Sequence, residues 1–215
     1  MTPPPRRSTI ALTILSLLHY QPLHPYGVQR LIKQWGKDQV VNVSQRAGLY
    51  RTIDRLLADG LIAVRETERD QQYPERTVYE VTDAGRATTR EWLLDMLATP
   101  KQEFPEFTAA LSFILMLTPE ESLDVLARRA KILEQNLAGI DATIAVETKH
   151  NLPRVTMLET DFQRTITVAQ LDWTRGVVDD LRSGRLTWTW EGLSAFAADA
   201  DTGTGTEADD EAADG

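Results

Sequence analysis

The chain has 215 residues, room for one or two domains of ordinary size, and its 42% hydrophobic and 26% charged residues suit a buried core. It has no cysteine, which excludes disulfides, thiol nucleophiles and cysteine-based zinc sites together. His19, His24 and His150 are too scattered for a metal site, and no apolar run approaches the ~18 residues of a membrane span.

Charge is unevenly spread. Residues 1–64 carry eight Lys/Arg against three Asp/Glu, whereas residues 199–215 hold seven acids and no base. A basic front on an acidic body allows a local nucleic-acid face; a solvated surface with an acidic tail accounts for the same numbers. Arg6-Arg7 before the apolar stretch Ile10–Leu18 has the look of a signal-peptide front. No small-residue cleavage site follows, and Ile10, Ile14, Leu17 and Leu18 fall at helical spacing, so the expectation is a cytoplasmic protein.

Met1–Arg7 is proline-rich and basic and reads as a flexible arm. Ser8 or Thr9 caps a first helix to about Tyr20, which Gln21-Pro22-Leu23-His24-Pro25 breaks. A second helix, about Tyr26 to Trp35, has Val28, Leu31, Ile32 and Trp35 on one face. Ser44 caps a third, to Asp59, whose apolar face is Leu49, Ile53, Leu56 and Leu57 and whose stop is Gly60. The period then changes: Leu61–Arg65 and Thr77–Val81 read as strands around a polar segment, and Thr82 or Asp83 caps a fourth helix to about Ala98. Three helices, a two-stranded ribbon and another helix are the order of a winged helix-turn-helix domain.

Thr99–Gln102 is the expected boundary, and beyond it everything reads helical. Phe107–Leu117 is a short apolar helix. Leu123, Leu126, Ala130, Leu133, Leu137, Ile140 and Ile144 follow at alternating steps of 3 and 4, a coiled-coil seam. Asn151-Leu152-Pro153 ends that helix. A last one carries Val155, Leu158, Phe162, Ile166, Ala169, Trp173, Val177 and Leu181 at about the 3.6-residue period. The two pair as an antiparallel hairpin. The fold class expected is mainly α: a winged helix-turn-helix domain over 1–98, a helical dimerisation and effector domain over 99–190, and a disordered acidic tail over 191–215. Monomer core is the alternative for the seam, but so much apolar helix surface favours a homodimer through Leu123, Leu126, Leu133, Leu137, Ile140 and Ile144.

Three segments carry a family resemblance. His24-Pro25-Tyr26-Gly27 resembles the His-x-Tyr segment of PadR-type regulators. Gly48-Leu49-Tyr50-Arg51-Thr52-Ile53-Asp54-Arg55-Leu56-Leu57-Ala58-Asp59-Gly60-Leu61-Ile62 resembles their Leu-Tyr-Arg-x-x-x-x-Leu-x-x-x-Gly-Leu-Ile core. Val78–Arg86 resembles their Tyr-x-Leu-Thr-x-x-Gly junction. The spacings agree over roughly residues 9–98, and Phe107–Phe113 resembles the subgroup with several C-terminal helices. Gly48 departs from the pattern, where Ser or Thr is usual.

The resemblance implies a ligand-responsive repressor that binds a palindromic operator as a homodimer. The third helix would enter the major groove by its amino end. Ser44, Gln45 and Arg46 stand there; glutamine can read adenine and arginine guanine. Tyr50 and Arg51 suit phosphate, a role the resemblance implies for Tyr50, although a half-buried core tyrosine fits the pattern too. Arg55 meets backbone or nothing, and the resemblance favours Arg76 on the wing. Relatives respond to small aromatics, for which Trp92, Met96, Phe104, Phe107 and Trp173 are candidates, though aromatics at helical spacing commonly fill a core. No cofactor, metal or catalytic constellation is expected. A winged helix kept only for protein assembly is the competing reading.

Overall fold

The structure is a computed structural model that describes residues 5–37, 41, 46–68 and 76–191. Residues 192–215 of the expected acidic tail therefore lie outside the described residues, as do 69–75 and Met1–Pro4. The chain forms two compact units, residues 1–103 and 104–215.

In the first unit, α1 (Thr9–Tyr20) starts at Ser8, whose hydroxyl accepts from the Ala11 N–H at 3.2 Å. Capping of this kind contributes about 1 kcal/mol. α2 (Pro25–Gln34) starts at His24, whose ring Nδ1 accepts from the Gly27 N–H at 2.9 Å, with Pro25 in the first turn. This bond requires a lone pair on Nδ1, and it gives His24 the capping role usually filled by Ser or Asp. α3 (Arg46–Ala58) ends as Gly60 predicts. Gly60 has φ 69°, its N–H donates to Leu57 O at 3.0 Å, and the Leu61 N–H donates to Leu56 O at 2.9 Å.

β1 (Ile62–Glu68) and β2 (Arg76–Val81) pair antiparallel, and the register shifts between Val64 and Glu66, leaving Arg65 as the extra residue. Leu23 adds a single-residue bridge to β2, donating to Tyr79 O at 3.0 Å and accepting from the Tyr79 N–H at 2.9 Å. α4 (Asp83–Ala98) is capped by Thr82, whose hydroxyl accepts from the Gly85 N–H and donates to Gly60 O. Ile14, Leu15, Ile32, Leu49, Leu56 and Ile62 are completely enclosed, and Trp92 closes the same core from α4. Truncating such a leucine to alanine costs about 2–5 kcal/mol.

In the second unit the expected helix 107–117 is broken. α5 (Glu106–Leu111) stops where the Ser112 N–H and hydroxyl both turn back to Thr108 O, and a 3₁₀ turn, Ile114–Met116, follows. α6 (Pro119–Lys149) opens on a reciprocal cap: Glu121 N–H to the Thr118 hydroxyl at 3.2 Å, and Thr118 N–H to the Glu121 carboxylate at 2.8 Å. After a 3₁₀ turn at Arg154–Met157, α7 (Leu158–Arg182) returns antiparallel along α6. Leu126 packs with Val178 and Leu181, and Ala130 and Leu133 with Leu171. Arg164–Asp141 at 2.6 Å and Arg175–Glu134 at 2.8 Å flank the pair.

The face α7 turns inward differs from the periodic one. Thr160, Leu171, Thr174, Val178 and Leu181 are buried, whereas Leu158, Phe162, Ile166 and Trp173 stay exposed. The helix carries two stripes, and the mixed Thr/Leu/Val one meets α6. The small Thr160 and Thr174 allow close approach, and the Thr174 hydroxyl is satisfied by Gln170 O at 2.7 Å. The bulkier stripe, with Phe162 66% exposed, lies on the far side of the helix.

Candidate nucleic-acid interface

Core packing sets the rotation of α3. Leu49, Thr52, Ile53 and Leu56 face inward, which turns Ala47, Tyr50, Arg51 and Asp54 outward. Tyr50 is 47% exposed, so it is not a core tyrosine. The Arg51 Nε donates back to Ala47 O at 3.2 Å, holding the guanidinium along the helix surface toward its amino end. The two side chains stand together on the outer face, with a hydroxyl and a full positive charge available to a polyanion.

Arg55 points elsewhere. It is half-buried, its Nη2 lies 3.5 Å from the Ser8 hydroxyl, and its Nε is enclosed without a hydrogen-bond partner. Its neighbour is the start of α1. Ser44 and Gln45 lie outside the described residues. Arg46 opens α3 and Arg76 opens β2 opposite Glu68; their side chains are not described. On the ribbon, Arg65 approaches Glu80 at 3.8 Å with both side chains about half exposed, a pair of little energetic weight.

Asp54 is a member of this face that the sequence motif does not single out. It lies one turn beyond Tyr50 and close to Tyr79. Burial raises the pKa of the Tyr79 phenol, the Asp54 charge adds to the rise, and Tyr50 contributes less. A carboxylate here would repel phosphate, which leaves the first half of α3, 46–51, as the part of this face open to a polyanion. The i, i+4 spacing from Tyr50 is the signal that could have found it. Gly48 sits in this half, and a Cβ there would meet nothing within 4 Å.

The aromatic candidates separate. Trp92 is buried in the first core, and Met96 is half-buried on the same helix. Phe104 is 89% exposed. Phe107 and Trp173 come together edge to face, centroids 6.0 Å apart, and Arg129 lies over the Phe107 ring at 3.5 Å. Of the seam residues, Leu126 and Leu133 are buried inside the hairpin; Leu123, Leu137, Ile140 and Ile144 are half-buried. Among the described residues no cluster of His, Asp or Glu could hold a metal, and no helix is long and apolar enough to cross a membrane.

A helix presented by a three-helix core, beside a ribbon tied to that core through Leu23, is the winged helix-turn-helix arrangement. Residues 14–91 match the model of the Transcriptional regulator PadR-like family. Solved structures share the fold well beyond this segment. Bacillus subtilis PadR in complex with operator DNA is 18% identical, with a TM-score of 0.64 over 81% of this chain and 99% of that one. The same protein in complex with p-coumaric acid is 16% identical, with a TM-score of 0.66 over 81% and 99%. The Vibrio cholerae virulence activator AphA is 17% identical, with a TM-score of 0.59 over 81% and 99%. No curated protein matches the sequence.

Proposed function

We propose that this PadR-like regulator is a cytoplasmic, ligand-responsive repressor that grips a palindromic operator as a homodimer. The carrying observation is the outward pairing of Tyr50 and Arg51 on the first half of α3, opposite a fully packed inner face. Gln45 and Arg46 precede this pair and supply base contacts; Arg76 and the ribbon supply backbone contacts. Two-fold symmetry spaces the half-site centres about 34–36 Å apart or a multiple of that.

The homodimer reading draws support from the exposed stripe Leu158, Phe162, Ile166 and Trp173, apolar surface that a second copy would cover. Leu126 and Leu133, with Leu123 and Leu137 packed against them, hold the hairpin together, which leaves Ile140 and Ile144 as the half-buried seam residues for a homodimer interface. For a small aromatic effector, the Phe107–Trp173 pair is the better-supported position, since Trp92 is occupied with core packing. The Bacillus subtilis relative, crystallised with operator DNA and with p-coumaric acid, lends the reading its chemistry; the Vibrio cholerae relative is named an activator.

Fluorescence anisotropy against the upstream DNA of its own gene, with random duplex as competitor and a salt series, tests the proposal. Competitor-resistant binding is the expected result. Binding no tighter than to random duplex, together with failure to enrich any site from a random pool, would favour the assembly-module reading, for which Asp54 on the outer face of α3 speaks.

A further inference from the structure

The acidic segment 199–215, with seven acids and no base, has no part in the operator-binding reading. It lies outside the described residues, which end at Glu191. Blocks of like charge at a chain end commonly serve as interaction tails. Fully extended, residues 192–215 would span about 80 Å, several times the roughly 17 Å radius of gyration of a folded chain this long. Reach to the first unit therefore needs no particular arrangement of the two units.

The cations of the two units differ in what holds them. In the second, Arg164, Arg175, Arg182 and Arg185 are each paired with an aspartate or glutamate. In the first, Arg30 and Lys33 on α2 and Arg51 on α3 are exposed and have no ion-pair partner among the described residues. α2 packs against α3, whose amino end adds about half a positive charge. Asp54 limits the open part of the face to 46–51, where Tyr50 adds a hydroxyl.

We propose that the acidic segment 199–215 docks on the outward face of α3 and competes with DNA for it. The consequence for DNA rests on the operator-binding reading; the contact itself does not. A tethered segment acts at an effective concentration of about 1 mM. An intrinsic dissociation constant of about 0.2 mM then keeps the face occupied most of the time and weakens DNA binding about sixfold. The contact is one of exposed charges, so salt releases it.

The test uses the full chain with Asp→Asn and Glu→Gln at all seven acidic positions of 199–215. A fluorescent peptide of the native 199–215 sequence, added in trans without DNA, binds this chain in anisotropy at 50 mM salt with a dissociation constant of about 0.2 mM, and is released by 300 mM. Arg51→Ala, at an exposed position, weakens the peptide at least threefold; Lys131→Ala, an exposed cation of the second unit, leaves it unchanged. The neutral-tail chain binds random duplex about sixfold tighter than wild type at 50 mM salt, and the native peptide in trans reverses the gain while a neutral one does not. No peptide binding, peptide binding indifferent to Arg51→Ala, or equal duplex affinity of the two chains would overturn the proposal. Peptide binding that needs Arg51, in a chain that binds no DNA, would uphold the contact and overturn the operator reading instead.

Discussion

Gly85, in the first turn of α4, packs its Cα directly against the carbonyl oxygen of Leu61. A methyl group there would overlap that oxygen and lie 2.8 Å from Val81 Cγ2. The carbonyl cannot retreat readily, because Leu61 O also accepts from the Thr82 N–H at 3.1 Å. Gly85→Ala is therefore expected to destabilise the first unit by about 1–3 kcal/mol, or more where the helix must shift. A thermal melt followed by circular dichroism reads this, and an unchanged midpoint would contradict the close approach.

Gly48 gives the opposite case. A Cβ at that position meets open space, and alanine costs less backbone entropy in a helix. Gly48→Ala should raise stability by up to ~1 kcal/mol in urea unfolding. DNA affinity should stay within twofold of wild type, about the scatter of such measurements, because no side chain that meets phosphate is altered.

Tyr50→Phe with Arg51→Ala should weaken binding to specific and random duplex alike. The slope of log affinity against log salt should become shallower by about 0.9 for every phosphate the variant no longer neutralises. Substituting Gln45 or Arg46 should instead change which bases are preferred. Uniform loss at every base position would remove them from the reading head.

His19 predicts a pH effect. Partial burial, then the Arg86 charge, holds the imidazole below its ordinary pKa of 6.5, and the Arg86 Nη1 lies 3.2 Å from its Nδ1. A base whose pKa is lowered on folding takes its proton more readily when unfolded. Its contribution is thus complete above pH 6.5 and declines as pH falls through 6.5 toward the folded value. Wild type should lose more of its melting temperature than His19→Gln between pH 7.5 and 5.5; identical losses would assign the acid sensitivity to other groups.

Phe162→Asp with Ile166→Asp should yield a monomer in sedimentation velocity with helicity preserved, because both residues are exposed in the single chain. Leu133→Asp should cost the hairpin itself, since it would bury an unpaired carboxylate between α6 and α7. A dimer that survives the double change would place the interface elsewhere.

Residues 9–98 are largely legible in the sequence because local chemistry and global packing agree there. Gly60 has to be a left-handed stop, Thr82 a cap, and Leu49, Ile53 and Leu56 a single inward stripe. The sequence around His24 shows a turn, but its capping bond needs coordinates, because histidine rarely serves in that position. Asp54 escapes notice because the motif draws attention to Tyr50 and Arg51. The α7 face differs from expectation for a physical reason: hydrophobic period weights Phe162 and Trp173 over Thr160 and Thr174, but close helix approach favours the small residues. Periodicity finds apolar stripes; it does not say which of two stripes a neighbouring helix will occupy.

The two hydrogen bonds between Leu23 and Tyr79, with α1 packed on α4, fasten the beginning of the first unit to its end. On the ribosome, α1 must therefore wait for its partner. At roughly 5–20 residues per second, the sixty-odd residues from α1 to the start of α4 take several seconds to synthesise. Through that interval the core residues Ile14, Leu15 and Leu18 lack part of the surface that will cover them, and nascent-chain-binding chaperones have a target there.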